Sequence, residues 1–144
     1  MAMKPRELSR EECIALLAKC RYGRLGLSQS DQTYIIPMSY VYSQGRIFLH
    51  SRGRGKKLEF VTKNPRVCFQ IDTLDKNNWS SVLAYGIARL SDDIEAKKRM
   101  FEAFTEKGLG GHGGKKFQPE ELERMPLTVW EISIEELTGR EGVW

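Results

Sequence analysis

A small, mainly antiparallel β-barrel with peripheral helices is the architecture that this chain predicts. Three observations carry it. Several segments alternate apolar and polar residues with the period of two expected of strands. These segments follow one another without regular crossover helices, which argues against a doubly wound sheet. With about six such strands, a closed or nearly closed barrel covers the edges best. The 144 residues, 40% hydrophobic and 29% charged, suit one domain spanning 1–144 with a real core.

Ser9 is a good helix N-cap, and Glu12 three residues on completes a capping box. The helix 10–19 then buries Cys13, Ile14 and Leu17. A short strand at 24–28 points Leu25 and Leu27 inward, and 29–32 turns the chain. The strand 34–42 sets Ile36, Met38, Tyr40 and Tyr42 against Ile35, Pro37, Ser39 and Val41. Pro37 removes a ladder hydrogen bond, so it marks an edge, a bulge or a point where a ligand replaces a neighbour. Residues 43–45 read as a three-residue hairpin loop into the strand 46–50.

A basic glycine loop at 51–55 and a helix of barely two turns at 56–62 come next. Asn64-Pro65 stops that helix and starts a strand at 66–71. Residues 72–78 are polar and poor in structure signals, and 79–90 is the longest strand, with Gly86 allowing a bulge. Ser91 or Asp92 caps a helix over 93–107 that presents Ile94, Met100, Phe101 and Phe104, with the Lys97 stem along its edge. The glycine-rich segment 108–116 around His112 is either a linker or a lid. Pro119 sits at the start of a further short helix, 128–137 is the last strand, and 139–144 is a short tail.

The most concentrated chemistry lies in residues 34–62. A strand end, a loop carrying Arg52 and Arg54, and a helix opened by Lys56 and Lys57 can hold a phosphate. The same residues also suit a solvated basic hairpin edge. Net charge is +4, and the cations cluster at 52–57 rather than forming a stripe, which favours one phosphate-sized target over a polymer backbone. Cys13, Cys20 and Cys68 have no ligand spacing, and His50 and His112 stand far apart, so the chain offers no metal site and three free thiols. No paired carboxylates or nucleophile elbow point to hydrolysis. No apolar run approaches a membrane span, and no secretion signal opens the chain, so a cytoplasmic protein is expected.

Seven stretches in order carry a resemblance: GRLGL at 23–27, YIIPMSYVY at 34–42, GRIFLHS at 45–51, GKKLEF at 55–60, NPRVCFQID at 64–72, WSSVLAYGIARL at 79–90 and LTGR at 137–140. Together they make the chain similar to the FMN-binding split-barrel proteins related to pyridoxamine 5'-phosphate oxidase, in the nitroimidazole-resistance (Nim-like) branch. The resemblance implies a split β-barrel, a homodimer and two FMN molecules at the subunit interface. It places the flavin ring along Pro37, Met38 and Ser39, with His50 and Ser51 near the ribityl chain or phosphate. Lys57 matches the family's phosphate-binding lysine, and Lys56 or Arg52 adds charge. Trp79, Ser80, Ser81 and Val82 match the segment that reaches the flavin of the other subunit. Small hydroxyl residues stand there in place of the oxidase's arginine and glutamine, which argues against oxidation of pyridoxamine phosphate.

The activity so implied is an FMN-dependent oxidoreductase that passes hydride or electrons from reduced flavin to a small-molecule acceptor, a nitroaromatic or a quinone. Flavin supplies the redox chemistry, and the protein supplies position and polarity. His50 either donates a proton, which makes it the candidate catalytic residue, or only holds the cofactor. Three other readings stay open: the same fold with a deazaflavin or haem, a flavin-binding protein without turnover, and a nucleic-acid module. The last would use Tyr34, Tyr40, Tyr42 and Phe48 beside the cations, and the clustering of charge disfavours it.

Overall fold

The structure is a computed structural model and describes residues 4–108 and 118–144. The elements run β1 (Arg6–Glu7), α1 (Arg10–Lys19), β2 (Tyr22–Gln29), β3 (Gln32–Ser39), β4 (Val41–Ser43), β5 (Arg46–Ser51), α2 (Lys56–Lys63), β6 (Arg66–Asp75), β7 (Asn78–Ser91), α3 (Ile94–Glu106), α4 (Pro119–Arg124) and β8 (Thr128–Val143). The glycine-rich segment 108–116, apart from Gly108, and His112 within it lie outside the described residues. No helix among the described residues is long and apolar enough to cross a membrane.

The expected barrel is not closed. All eight strands form one antiparallel sheet in the order β3-β2-β6-β7-β8-β5-β4, with β1 added to β8, and the end strands β3 and β4 do not pair. The reason is local. The expected strand 34–42 is two strands, separated by Tyr40 alone. Antiparallel pairing of consecutive strands takes a reversal of about two residues or more, and one residue cannot supply it. The chain instead runs straight on through Tyr40, with β3 turned toward β2 and β4 toward β5. Tyr40 is fully buried, its hydroxyl donates to the Leu17 carbonyl at 2.6 Å, and its amide donates to the Arg21 carbonyl.

Several boundaries differ from the sequence expectation for identifiable reasons. Residues 72–78 form the β6–β7 hairpin, with Asp75 opposite Asn78 and Lys76 in the left-handed region at φ 54°. The β4–β5 loop has two residues rather than three, since Ser43 pairs with Arg46 and both Gln44 and Gly45 have positive φ. The tail 139–144 mostly continues β8, which pairs with β7 as far as Val143. Gly139 and Gly142 each admit a close neighbour: a Cβ would meet Cys13 Sγ at 2.7 Å at the first and the Trp79 ring at 2.8 Å at the second. Asp93, not Ser91 or Asp92, caps α3 through Ala96 N–H. The Ser9–Glu12 capping box of α1 is present in both directions.

The inner face of the sheet packs Leu25, Leu27, Phe69, Ile71, Val82 and Trp130 with Leu17 of α1 and Phe60 and Val61 of α2. A second cluster joins Val41, Phe48 and Val129 to Met100, Ala103 and Phe104 of α3. Lys97 does not lie along an exposed edge. It is 3% exposed, and its Nζ donates to the Leu122 and Met125 carbonyls at 3.1 and 2.9 Å, which ties α4 to α3.

The β7 bulge falls between Tyr85 and Gly86, where the register to β8 slips. A Cβ at Gly86 would stand 2.1 Å from the Ser133 carbonyl oxygen, which is backbone and cannot swing away. Gly86→Ala is therefore expected to destabilise the fold by about 3 kcal/mol and lower Tm by roughly 10 °C. At Gly26 the nearest atom is 3.4 Å from such a Cβ, so Gly26→Ala should cost under about 1 kcal/mol. Thermal melts of the two variants check this, and equal losses would refute it.

Candidate functional site

The site grows from the fork at Tyr40. β4 pairs with β5 through Val41 opposite Phe48. Continued by two residues, that register would set Ser39 opposite His50, but β3 has already turned away to β2. Residues 37–39 and 50–52 therefore flank an opening. β3 has no strand on its outer side, and β5 beyond Phe48 is paired only on its β8 side. Backbone donors and acceptors on both lips lack strand partners, and such groups are satisfied by water or by a ligand with its own donors and acceptors. Pro37 and Ser39 are exposed and Met38 is half-buried, with its side chain turned to the core.

Beyond β5 the loop leads into α2. Gly55 is its N-cap at φ 120°, a conformation that favours glycine, and no side chain caps the helix. Its first N–H groups are thus open to an anion. Among the described residues, Arg52, Arg54, Lys56 and Lys57 form no salt bridge. The four cations are not equivalent. Lys56 Nζ lies 4.9 Å from the Tyr34 ring centroid and 5.9 Å from that of Phe60, so two rings hold it. Lys57 is half-buried and close enough to His50 to affect its ionisation.

Ser51 and His50 behave differently. Ser51 is buried; its Oγ accepts from Trp130 Nε1 and donates to the Arg52 carbonyl, each at 2.8 Å. This hydroxyl braces the strand end and has no proton left for a ligand. The His50 ring meets Phe104 edge-on with centroids 6.1 Å apart. His50 is exposed at its outer edge, and the partial desolvation of its ring, then the Lys57 charge, push its pKa below the usual 6.5. The neutral imidazole is the form that the fold favours. The stability gained is complete above pH 6.5 and falls as acid protonates the ring toward the lower folded value. An NMR titration of His50 is expected to give an apparent pKa below 6.5, moving upward in Lys57→Ala. A free-protein value at or above 6.5 would overturn this reading.

Trp79, Ser80, Ser81 and Val82 sit elsewhere in the same chain. His50 is opposite Val129, which is opposite Ser91 at the far end of β7. Val82 lies nine residues from Ser91, about 30 Å along the strand at ~3.3 Å per residue. Ser80 and Val82 face the core, while Ser81 and Trp79 are half-buried on the outer side. Ser81 belongs to a polar line that sequence reading missed. Arg24 pairs with Asp72 at 2.5 Å and donates to Gln70 Oε1 at 3.2 Å, and Gln70 Nε2 donates to Ser81 Oγ at 3.1 Å. The only signal in the sequence was alternation within 24–28 and 66–71; which residues meet depends on register.

Of the four aromatic residues that a nucleic-acid surface would need, Tyr40 and Phe48 are buried, and Tyr34 packs against Phe60.

Comparisons with known proteins bear on the family and the fold. A family model described as pyridoxamine 5'-phosphate oxidase matches residues 9–141. A FAD-binding protein from Mesorhizobium loti is 30% identical, covers 97% of this chain and 99% of its own, and superposes with a TM-score of 0.78. A candidate 5-nitroimidazole antibiotic resistance protein from Bacteroides thetaiotaomicron shares the fold at a TM-score of 0.82, with 16% identity over 99% of this chain and 92% of its own. An uncharacterized protein of Rhizobium meliloti is 37% identical over 82 residues, 56% of this chain, and the match spans 54%, about half, of that curated relative's length. With the match running from the capping serine of α1 almost to the end of β8, the chain belongs to the pyridoxamine 5'-phosphate oxidase family.

Proposed function

We propose that this protein binds FMN and serves as a flavin-dependent oxidoreductase for small aromatic acceptors, nitroaromatics or quinones. The observation that carries the reading is the fork. Two strand edges open beside Pro37–Ser39 and His50, next to a helix N-terminus with no side-chain cap and a set of cations that form no salt bridge among the described residues. These residues fit a flavin mononucleotide. Lys57, Arg52 and the first N–H groups of α2 would hold its dianionic phosphate, and the strand edges would hold the ring. The FAD-binding relative supports a flavin, and the single compact cluster of cations favours one phosphate and hence FMN.

When bound and reduced, the flavin supplies two electrons and two protons, enough to turn a nitro group into nitroso plus water, or a quinone into hydroquinone. The chain's own part is to orient and to exclude water. The neutral His50 imidazole stands at the lip, where it can carry a proton or hold the ring. Phe104 keeps it there from the α3 side.

A homodimer completes the reading. Pro37, Arg24, Gln70, Leu83 and Thr138 lie side by side across β3, β2, β6, β7 and β8 on the outer face. The next row on that face is Ile35, Gly26, Cys68 and Tyr85, with Ile35 67% and Tyr85 40% exposed. A face that mixes exposed Ile35 and Tyr85 with the polar line of Arg24 and Gln70 suits a second copy. A two-fold axis along the strands between β2 and β6 would lay β7 of one copy over β3 of the other. Ser81 and Trp79 would then lie over the neighbour's fork, whereas within one chain Leu83 and its neighbour Ser81 stand three strands from the β3 lip, about 15 Å across the sheet.

The test is cofactor identification by absorbance and mass on freshly purified protein, followed by stopped-flow reduction with NADH or NADPH and reoxidation by a nitroaromatic or quinone. Bound FMN with acceptor-dependent reoxidation is expected. A protein that neither carries nor binds flavin would sink the proposal, a Soret band would replace flavin with haem, and bound flavin without reoxidation would leave only a binder.

A further inference from the structure

The outer ends of β7 and β8 border a cavity of about 610 Å³; the flavin reading brings its Trp79 and Ser81 toward the neighbour's fork but gives no role to its Leu83, Thr138 and Arg140. Trp79, Ser81 and Leu83 line it from β7, Thr138 and Arg140 from β8, and Glu7 from β1. Its size is that of a small-molecule site. The register explains its make-up. Ser81 is directly opposite Arg140 and Leu83 opposite Thr138, so hydroxyl, guanidinium and aliphatic groups share one face. Trp79 is opposite Gly142, and the missing side chain there lets the indole lie across β8 as an end wall, with Trp144 tilted against it at 5.7 Å.

Two features make this a polar recognition site and not a mere gap. Ser81 Oγ accepts a hydrogen bond from Gln70, itself held by Arg24 and Asp72, so its own proton is free to donate. Arg140 is exposed and meets Glu7 only at 3.9 Å, which leaves its guanidinium fork available. One cation already facing a carboxylate is ill-suited to a dianionic phosphate, but it suits a monoanion or the oxygens of a nitro group.

We propose that this cavity is the acceptor site: it takes a flat aromatic ring bearing a carboxylate or similar monoanionic group, stacked on Trp79 and held by Arg140 and Ser81. The proposal rests on the flavin reading for its role, since the dimer described above turns this face toward the neighbour's fork, but its binding is tested separately. Para-nitrobenzoate and para-nitrobenzyl alcohol are titrated into the protein as purified, read by quenching of tryptophan fluorescence, and then assayed as acceptors. In Arg140→Gln the Kd and KM for para-nitrobenzoate are expected to rise about tenfold or more, while those for the alcohol stay within about twofold. Arg140→Lys should recover part of the loss. Arg140 is exposed, so an unchanged melting curve is expected and would certify the fold. Equal affinity for para-nitrobenzoate in parent and Arg140→Gln would overturn the proposal. Loss of flavin from Arg140→Gln would overturn it as well, by making Arg140 a cofactor ligand. Arg140-dependent quenching in a protein without flavin would support the cavity while removing the oxidoreductase reading.

Discussion

Lys57→Ala is expected to weaken FMN retention about 10- to 100-fold, whereas Lys63→Ala leaves it within about twofold. Both changes remove one positive charge from α2, so net charge cancels in the comparison. They differ in place. Lys57 is in the first turn, half-buried and beside His50, and Lys63 is exposed in the last turn. A phosphate at the α2 N-terminus would meet Lys57 together with open backbone N–H groups, where a charge-assisted hydrogen bond contributes about 1.5–3 kcal/mol. Lys56→Ala should fall between the two, because its ammonium already rests on the Tyr34 and Phe60 rings. Dialysis followed by flavin absorbance per polypeptide measures all three. Equal occupancy in Lys57→Ala and Lys63→Ala would remove the phosphate from this loop.

The second large effect is complementation between chains. Lys57→Ala and Trp79→Ala are each expected to lose most bound FMN, yet the two proteins unfolded and refolded together should regain about a quarter of the parent occupancy. If each site takes residue 57 from one copy and residue 79 from the other, a mixed dimer has one site with both defects and one with neither. Mixed dimers form about half of a random population under two-fold pairing. If both residues served one site within a chain, no intact site would form and occupancy would stay at the sum of the two defective proteins. The two-fold arrangement that lays β7 of one copy over β3 of the other makes the between-chain outcome the expected one.

Much of this was legible in the residues themselves. The Ser9–Glu12 capping box, Pro119 at the start of α4 and the bulge at Gly86 all rest on short-range chemistry, and each is where the residues put it. The cations of 52–57 cluster in sequence, so their grouping needed no fold to reveal it. The polar line Arg24–Gln70–Ser81 was not legible, because its members come from three strands and meet only in one register. Lys97 was misplaced for a similar reason: periodicity set it at the edge of α3, but the α4 carbonyls that bury it come from 25 and 28 residues away.

The distinction is clearest at Tyr40. Alternation made 34–42 one strand and edge protection suggested a closed barrel, and both inferences used local rules. What divides the strand is a buried hydroxyl bonded to the end of α1, together with two different neighbours, β2 and β5, competing for the same run of chain. Local chemistry determined that this protein has strands, caps and a cationic loop suited to a phosphate. Only tertiary structure decided that the sheet stays open at Tyr40, because strand pairing is a choice among distant partners, and the proposed site lies in that opening.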